Sequence, residues 1–461
     1  MTQQHSQPIN TETILKNAFA AAVAVADPQV IVPQYLAKIF PVGQEPKGKC
    51  LVVGAGKASA SMASALEKYA KEHWPQVKIE GVVLTRYGHS SPTSDIKIIE
   101  AGHPVPDQAG MDGAKAILEL TQTLKEDDVL IALVSGGGSS LLTLPVEGIS
   151  IDDMRKTTEA LLRSGAPIEE MNVVRKHLSA ILGGNLARCA IARGARVEAL
   201  LISDVTGDAP ADIASGPCAA DYSTYSDAQN IIESYRLQEL IPASVMNHLQ
   251  QGVAGQKPET LKDIDLVSAR VSNHVIATAY KSLEAAANFV RAHGYEPIVL
   301  GDTITGEAQE VGLVQAQLAR EYLAKIDKAD KPPALISGGE CTVTLSNPAR
   351  PGRGGRCSEF LLSLAICAER GGTFHALACD TDGIDGSEDN AGALVTPDTL
   401  ARAMAMGLGR RCRRGRLRRS GPPDPASCPR PSGPRPPAPE AWPPRCRGPR
   451  RARDRRAPSP P

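Results

Sequence analysis

Short apolar runs recur along the chain and alternate with stretches of helical periodicity, of which two cover residues 59–73 and 312–326. Eight such runs predict buried strands: Cys50–Val53, Gly81–Leu84, Val129–Val134, Ala199–Ile202, Val275–Ala277, Ile298–Leu300, Ala334–Ile336 and Ala376–Ala378. Alternation of strand and helix favours mostly parallel sheets with helices on both faces. The pattern therefore predicts an α/β fold.

An irregular polar segment, residues 237–263, interrupts this alternation. We therefore predict an amino-terminal, Rossmann-like α/β domain over residues 10–250 and a second α/β domain over residues 265–408. Residues 409–461 differ in composition, with sixteen Arg, no Lys and three acidic residues, a charge of +13. Because the whole chain is formally neutral, the preceding body is acidic.

The Arg- and Pro-rich segment 409–461 contains residues whose codons are rich in G and C, whereas basic tails usually mix Lys with Arg. We interpret it as the product of a shifted reading frame, and expect it to be disordered or aberrant. Linker-like disorder and a nucleic-acid-binding arm are the alternatives. We assign no chemistry to this tail and expect no nucleic-acid partner.

The sequence also bears on location. No apolar run approaches the roughly 20 residues that span a bilayer, and the polar start M-T-Q-Q-H-S-Q-P lacks the layout of a signal peptide. We therefore expect no membrane partner. The cysteines are scattered without C-x-x-C pairs, which favours reduced thiols and a cytoplasmic protein.

The most informative segment is residues 127–142, where an apolar run stops at three glycines flanked by serines. Open α/β sheets bind ligands at the carboxyl ends of their strands, and glycine N–H groups with serine hydroxyls suit phosphate. Similar segments are residues 51–57, 200–208 and 334–340. Two of these segments, residues 127–142 and 334–340, contain the candidate phosphate-binding residues. They are Ser135, Gly136, Gly137, Gly138, Ser139, Ser140, Gly338, Gly339 and Glu340.

The segment G-A-G-K-A-S, with Gly54, Gly56 and Lys57, follows a strand and opens a helix. It matches the dinucleotide fingerprint G-x-G-x-x-G only in part, and the Walker A spacing is absent. Lys57 is placed to neutralise a transferring phosphoryl group or to bind a carboxylate. The alternative is a solvated ammonium group.

Charged residues near other predicted strand ends complete the candidate site. Asp204, Asp208 and Asp382 are candidate Mg²⁺ ligands, although Asp and Gly are also common in plain turns. Arg356 lies amid glycines before a helical stretch, where its guanidinium fork can clamp a phosphate or carboxylate. We interpret His103 as a loop residue rather than a base, and residues 175–177 as a solvated helix face rather than an anion contact.

Several motifs together resemble one family. They are V-G-A-G-K-A, G-H-P-V-P-D, L-V-S-G-G-G-S-S-L, L-I-S-D-V-x-G-D, S-G-G-E, G-G-R-x-x-E-F and D-T-D-G-I-D-G. The chain resembles glycerate 2-kinases that carry a MOFRL domain, whose members were formerly labelled hydroxypyruvate reductases of tartrate degradation. The likeness is collinear from about residue 10 to about Leu408. It stops at the start of the Arg- and Pro-rich tail.

The resemblance implies a glycerate-kinase-like domain and a MOFRL-like domain with the active site in the cleft between them. It further implies ATP- and Mg²⁺-dependent phosphorylation of D-glycerate to 2-phosphoglycerate, with Lys57 and Arg356 as the principal catalytic residues. The alternative activity is reduction of hydroxypyruvate by NADH or NADPH, with Gly54 and Gly56 at the pyrophosphate. The incomplete fingerprint disfavours it. A homodimer is left open.

Overall fold

The computed structural model describes residues 10–262, 270–327, 330–345, 352–368, 374–387 and 389–408. The predicted character of residues 409–461 therefore lies outside the described residues. By its internal contacts the chain divides into two compact units, Met1–Leu400 and Ala401–Pro461. The strands and the site belong to the first unit.

The strands of the described chain are as follows: β1 (Cys50–Ala55), β2 (Ile79–Arg86), β3 (Ile96–Ala101), β4 (Val129–Val134), β5 (Arg196–Ile202), β6 (Val271–Ala277), β7 (Glu296–Glu307), β8 (Pro333–Thr342), β9 (Ala376–Cys379) and β10 (Gly392–Val395). The helices are α1 (Thr11–Ala24), α2 (Pro28–Ile39), α3 (Ser59–His73), α4 (Gln108–Gln122), α5 (Gly138–Leu141), α6 (Ile151–Ser164), α7 (Ile168–His177), α8 (Asn185–Ile191), α9 (Tyr225–Ser234), α10 (Ala243–Val253), α11 (Ala279–Ala292), α12 (Ala308–Lys325), α13 (Arg356–Ala368) and α14 (Thr399–Ala405).

A six-stranded parallel sheet dominates the structure, with the order β3-β2-β1-β4-β5-β6. This is the order of doubly wound dinucleotide-binding sheets, in which chain direction along the sheet reverses between β1 and β4. Ala55 pairs with Val134, so the two strands end level with each other. The prediction of a mostly parallel α/β fold is confirmed.

Both faces of this sheet are covered, which explains why its two central strands, β1 and β4, are apolar and buried at every position. Successive residues of β1 point to opposite faces. Leu51 packs in one buried cluster with Ile117 of α4, and Val52 packs in another with Leu36 of α2 and Leu66 of α3. The burial of β1 and β4 on both sides fixes the positions at which their following loops begin.

The second half of the described chain forms two smaller sheets, a parallel pair β7-β8 and an antiparallel pair β9-β10. Helix α1 packs here, because Ile14 and Ala18 lie in a cluster with Val290 and Ile336. Strand β6 follows the predicted boundary between residues 250 and 265 but pairs with β5. The domain limits remain a prediction, and the chain crosses them at both α1 and β6.

The segment Thr11–Ile39 contains an 18-residue window with a mean hydropathy of 1.3 and is long and apolar enough to cross a membrane by length and composition. The expectation that no run approaches this length is therefore wrong for this segment. Asp27 separates it into α1 and α2, since its carboxylate accepts the Gln29 N–H and Pro28 occupies the first turn of α2. The two helices then pack in different clusters.

Leu133→Ala tests the packing that fixes the glycine-rich loop after β4. Leu133 is 0% exposed, and its truncation should lower the free energy of unfolding by about 2–5 kcal/mol through lost burial and a cavity. Leu162→Ala is the matched control, because Leu162 is 67% exposed; its cost should stay within about 0.5 kcal/mol. Equal effects of the two variants in urea denaturation would contradict this account of the core.

Candidate functional site

The loops after β1 and β4 are joined by hydrogen bonds. The Lys57 N–H donates to the Gly136 carbonyl at 2.9 Å, and the Ser135 N–H donates to the Ala55 carbonyl at 3.2 Å. The Ser135 hydroxyl accepts the Ala58 N–H at 3.0 Å, and Ser135 is 1% exposed. This hydroxyl therefore joins two loops, which does not favour the prediction that it faces a cofactor.

Gly54 and Gly56 are needed for close packing. A Cβ on Gly54, inside β1, would lie 2.1 Å from the Leu133 carbonyl oxygen. A Cβ on Gly56 would lie 2.1 Å from Ser135 Oγ, and Gly56 has a φ of +145°. Few residues other than glycine adopt that conformation. Packing therefore explains this partial fingerprint without a dinucleotide.

The glycines after β4 bring an acid and an imidazole against the loop. A Cβ on Gly136 would lie 2.4 Å from Asp204 Oδ2, and a Cβ on Gly137, whose φ is +82°, would lie 2.7 Å from His103 Nε2. Two chemically active groups thus lie directly beside the predicted phosphate loop. His103, which the sequence interpretation set aside as a loop residue, belongs to this site.

The rest of the loop turns into α5 and contacts a strained segment. Gly138 lies against the Ala55 carbonyl, and the Ser140 hydroxyl donates to the Gly137 carbonyl at 3.0 Å. The Ser139 and Ser215 hydroxyl oxygens lie 2.8 Å apart. Ser215 has a φ of +57° and is fully buried. Strain of this kind is held by surrounding packing and concentrates at functional sites.

Asp382 reaches the loop after β1 from the second half of the chain. Its Oδ2 lies 3.6 Å from Lys57 Nζ and 3.4 Å from Arg86 NH1. Burial alone would raise the pKa of Asp382, but the Ile384 N–H and the two cations outweigh it and hold that pKa below its usual value. Sequence reasoning missed Arg86, although it ends a strand in the same way as the predicted residues.

Arg356 is held by two further acids. Its NH2 lies 2.7 Å from Asp380 Oδ2, and its NH1 pairs with Glu340. The carboxylate of Asp385 fixes the start of α13 by accepting the Cys357 and Ser358 N–H groups, both at 2.9 Å. Lys57 and Arg356 therefore contact two acids that are separated by one residue in the chain.

The predicted trio of metal ligands does not form one cluster. Asp382 is paired with cations, Asp204 lies at the glycine-rich loop, and Asp208 occupies a turn with a φ of +55°. Within the described ranges, no group of three or more His, Cys, Asp or Glu side chains is placed to hold a metal ion. The three carboxylates therefore do not share one site, and each remains a predicted Mg²⁺ ligand on its own.

The prediction of a loop at Gly338 and Gly339 is wrong, because both residues lie inside β8. A Cβ on Gly339 would lie 2.0 Å from the Ile304 carbonyl oxygen of the paired strand β7. The glycine therefore permits close contact between strands. Glu340 contributes to the site through Arg356.

The two groups beside the glycine-rich loop have opposite pKa shifts. Although Asp204 is solvent-accessible as a residue, protein atoms crowd its carboxylate and raise its pKa, an effect that Lys57 opposes. Burial lowers the pKa of His103, and Lys57 and Arg86 lower it further, whereas Glu340 opposes this shift. His103 is therefore held in its neutral form, able to accept a proton.

A cavity of about 490 Å³ lies elsewhere, lined in part by Lys176, Arg188 and Lys257. Two of these cations already serve the fold: Lys176 Nζ lies 3.5 Å from Asp221 Oδ1, and Arg188 donates to the Glu259 carbonyl. The cavity lacks the glycine-rich loop. We therefore place the candidate site at the ends of β1 and β4.

Comparison with known proteins places the chain in a family. Residues 14–250 match the model described as "Domain of unknown function (DUF4147)", and residues 333–413 match the MOFRL family. A Pyrococcus horikoshii protein named glycerate 2-kinase is 39% identical over 389 residues, which cover 84% of this chain and 83% of the relative. The chain belongs to the MOFRL-containing glycerate kinase family.

Two further relatives of the chain carry different names. The crystal structure of the Thermotoga maritima glycerate kinase matches with a TM-score of 0.73 and 35% identity, covering 86% of this chain and 91% of that one. An Agrobacterium vitis protein provisionally named hydroxypyruvate reductase is 45% identical over 401 residues, 87% of this chain and 86% of the relative. Both names bear on the proposal below.

Gly56→Ala tests the junction of the two loops. Gly43→Ala is the control, since Gly43 has a φ of +83° and no atom near the added Cβ. That control should cost about 1 kcal/mol in the free energy of unfolding, from backbone strain. Gly56→Ala should cost about 1–3 kcal/mol more, because its Cβ meets Ser135. Indistinguishable urea midpoints would show that the loops are not closely joined.

Proposed function

We propose that this protein is a glycerate 2-kinase, which transfers the γ-phosphoryl group of ATP to the 2-hydroxyl of D-glycerate. The observation that supports this most is that Lys57, beside the glycine-rich loop, pairs with Asp382, while Arg356 pairs with Asp380 of the same acidic motif. Relatives from Pyrococcus horikoshii and Thermotoga maritima carry glycerate kinase names.

Phosphoryl transfer requires position and charge stabilisation more than covalent chemistry by the protein. The loop from Gly136 to Ser140 offers a cradle without large side chains for the phosphates. Lys57, Arg86 and Arg356 supply positive charge. Their carboxylate partners hold these long side chains in place before the substrates bind, which reduces the entropy lost on binding.

The donor set suits Mg²⁺ as a companion of ATP rather than as a resident ion. Mg²⁺ is commonly held by one or two carboxylates together with phosphate oxygens and water. Asp204 is the best-placed carboxylate, since it lies against Gly136 of the candidate phosphate loop. When bound, Mg²⁺ would neutralise charge on the phosphates.

His103 is our candidate for the group that accepts the proton of the 2-hydroxyl. Its Nε2 lies against Gly137, and burial, together with the neighbouring cations, lowers the pKa of the imidazole and so favours its neutral form. Asp382 is a weaker candidate because its ion pairs favour the fully ionised carboxylate, which lowers its basicity.

Reduction of hydroxypyruvate is the second candidate function. The strand order of the large sheet, which dinucleotide-binding folds share, and the Agrobacterium vitis relative favour it. Against it, Gly54 and Gly56 are explained by packing, and β2 ends in Arg86 rather than in an acid for the ribose. Glu80 is the acid nearest in sequence to the position that the fingerprint requires, and it is paired with Lys49 at 2.9 Å.

We further propose that the enzyme works in the cytoplasm on small molecules alone, without nucleic acid or membrane as a partner. The cations of the site, Lys57, Arg86 and Arg356, suit small anionic substrates and support this. A homodimer is compatible with this proposal, which does not depend on it.

Lys57→Ala should lower kcat for D-glycerate phosphorylation by about 10²–10³-fold, because one charge that stabilises the transferring group is lost. ADP release is measured with D-glycerate and Mg-ATP, and NADH or NADPH oxidation with hydroxypyruvate in a parallel tube. Lys78→Ala is the control, since the side chain of that lysine is 71% exposed and the residue directly precedes β2, at the end of the strand opposite to the site. Reductase activity without kinase activity would refute the proposed function.

The pH dependence tests His103. Because its pKa is lowered, kcat/KM for D-glycerate should stay level as the pH falls through ~6.5 and decline only below it. His103→Gln should lower kcat by about 10²-fold and remove this acid limb. A variant that keeps both the wild-type rate and the wild-type pH profile would exclude His103 as the base.

A further inference from the structure

Arg175, on α7, differs from the other cations of the site. Its NH2 donates to the Ser139 carbonyl at 3.1 Å, and its NH1 donates to Asn172 Oδ1 at 3.3 Å. Across the described parts of the chain, no carboxylate lies within ion-pair distance of this guanidinium, whereas Lys57 and Arg356 both have acidic partners. The described residues that contact this positive charge, Ser139 and Asn172, offer it neutral oxygens.

The surroundings of Arg175 make this arrangement costly for the protein alone. Protein atoms crowd the guanidinium and lower the pKa of Arg175 by withdrawing it from water. A desolvated charge without a counterion destabilises a fold. An anion that arrives with a substrate would supply the missing partner.

The position of Arg175 ties it to the candidate phosphate loop. Ser139, whose carbonyl accepts from Arg175, follows Gly136, whose carbonyl accepts from Lys57, by three residues. Their Cα atoms are at most about 11 Å apart, given ~3.8 Å between consecutive residues. The backbone of Lys57 and the guanidinium of Arg175 are thus anchored to the two ends of one four-residue segment of the candidate phosphate loop.

The number of charges distinguishes a carboxylate from a polyphosphate at this end. Lys57, Arg86 and Arg356 form a set of cations that suits the several charges of ATP. Arg175 offers a single positive charge with a planar fork, of which two N–H groups are engaged by Ser139 and Asn172. A lone guanidinium matches the single charge and planar shape of one carboxylate.

We propose that Arg175 binds the carboxylate of the acceptor substrate and so makes the enzyme select a hydroxy acid over an uncharged polyol. This inference rests on the proposed glycerate kinase function, because it names the subsite for the acceptor of that reaction. It reverses the sequence-based interpretation of residues 175–177 as a solvated face.

Arg175→Gln tests the subsite through the substrate on which it acts. At saturating Mg-ATP, the variant should raise KM for D-glycerate by about 10²-fold, while KM for ATP changes less than about threefold. The kcat/KM for D-glyceramide, a neutral analogue, should be unchanged. Arg175→Lys should recover part of the loss in D-glycerate binding, because it restores the charge without the fork.

Arg188→Gln is the matched control, since Arg188 also donates to a backbone carbonyl and is partly buried, but lies in the cavity away from the loop. It should leave both KM values as in the wild type. A rise in KM for ATP rather than D-glycerate on Arg175→Gln would assign the guanidinium to phosphate and overturn the proposal. Lower thermal stability with unchanged KM values would show a structural role and overturn it as well.

Calorimetric titration of D-glycerate into the wild type and the Arg175 variants, without ATP, separates the two proposals. If Arg175→Gln weakens D-glycerate binding but the wild-type protein transfers no phosphoryl group, the kinase function is refuted and the carboxylate subsite is retained. Phosphoryl transfer with D-glycerate binding that is equal in wild type and variant would refute the subsite and retain the kinase.

Discussion

The site depends on one junction, the hydrogen bond from the Lys57 N–H to the Gly136 carbonyl at the ends of β1 and β4. The two strands end level in a parallel sheet, and the chain reverses its direction along the sheet at this point. The buried hydroxyl of Ser135 adds a second bond to the junction by accepting the Ala58 N–H. Gly56 is fixed by the same contact, since a Cβ there would meet Ser135.

Ion pairs of Asp380 and Asp382 place the cations of the site around this junction. Asp382 brings the second half of the chain to Lys57 and Arg86, and Asp380 holds Arg356 two residues away along the same motif. Ion pairs that are partly exposed add little stability, so the value of these pairs lies in orienting long side chains for an anionic ligand. This explains why the acidic motif matters even though it does not form a metal cage.

The sequence predicted what depends on local pattern and missed what depends on tertiary contact. Apolar runs located eight of the strands, most clearly β1 and β4, where burial on both faces demands them. The edge strand β3, with Lys97 exposed, lacks such a run. Glycine motifs marked the loop at Gly136, but the same motif at Gly339 lies inside a strand, because nothing local shows that Ile304 approaches. Arg86 was missed, and Arg175 was set aside as part of a solvated helix face, because only their tertiary contacts place them beside the site.

Hydrogen exchange in the presence of a non-hydrolysable Mg-ATP analogue and D-glycerate tests the central claim most directly. If the junction of β1 and β4 forms the polyanion site, the amides of residues 56–58 and 136–140 should be protected together. Slowed exchange in the cavity beside Lys257, with the glycine-rich loop unchanged, would contradict the account.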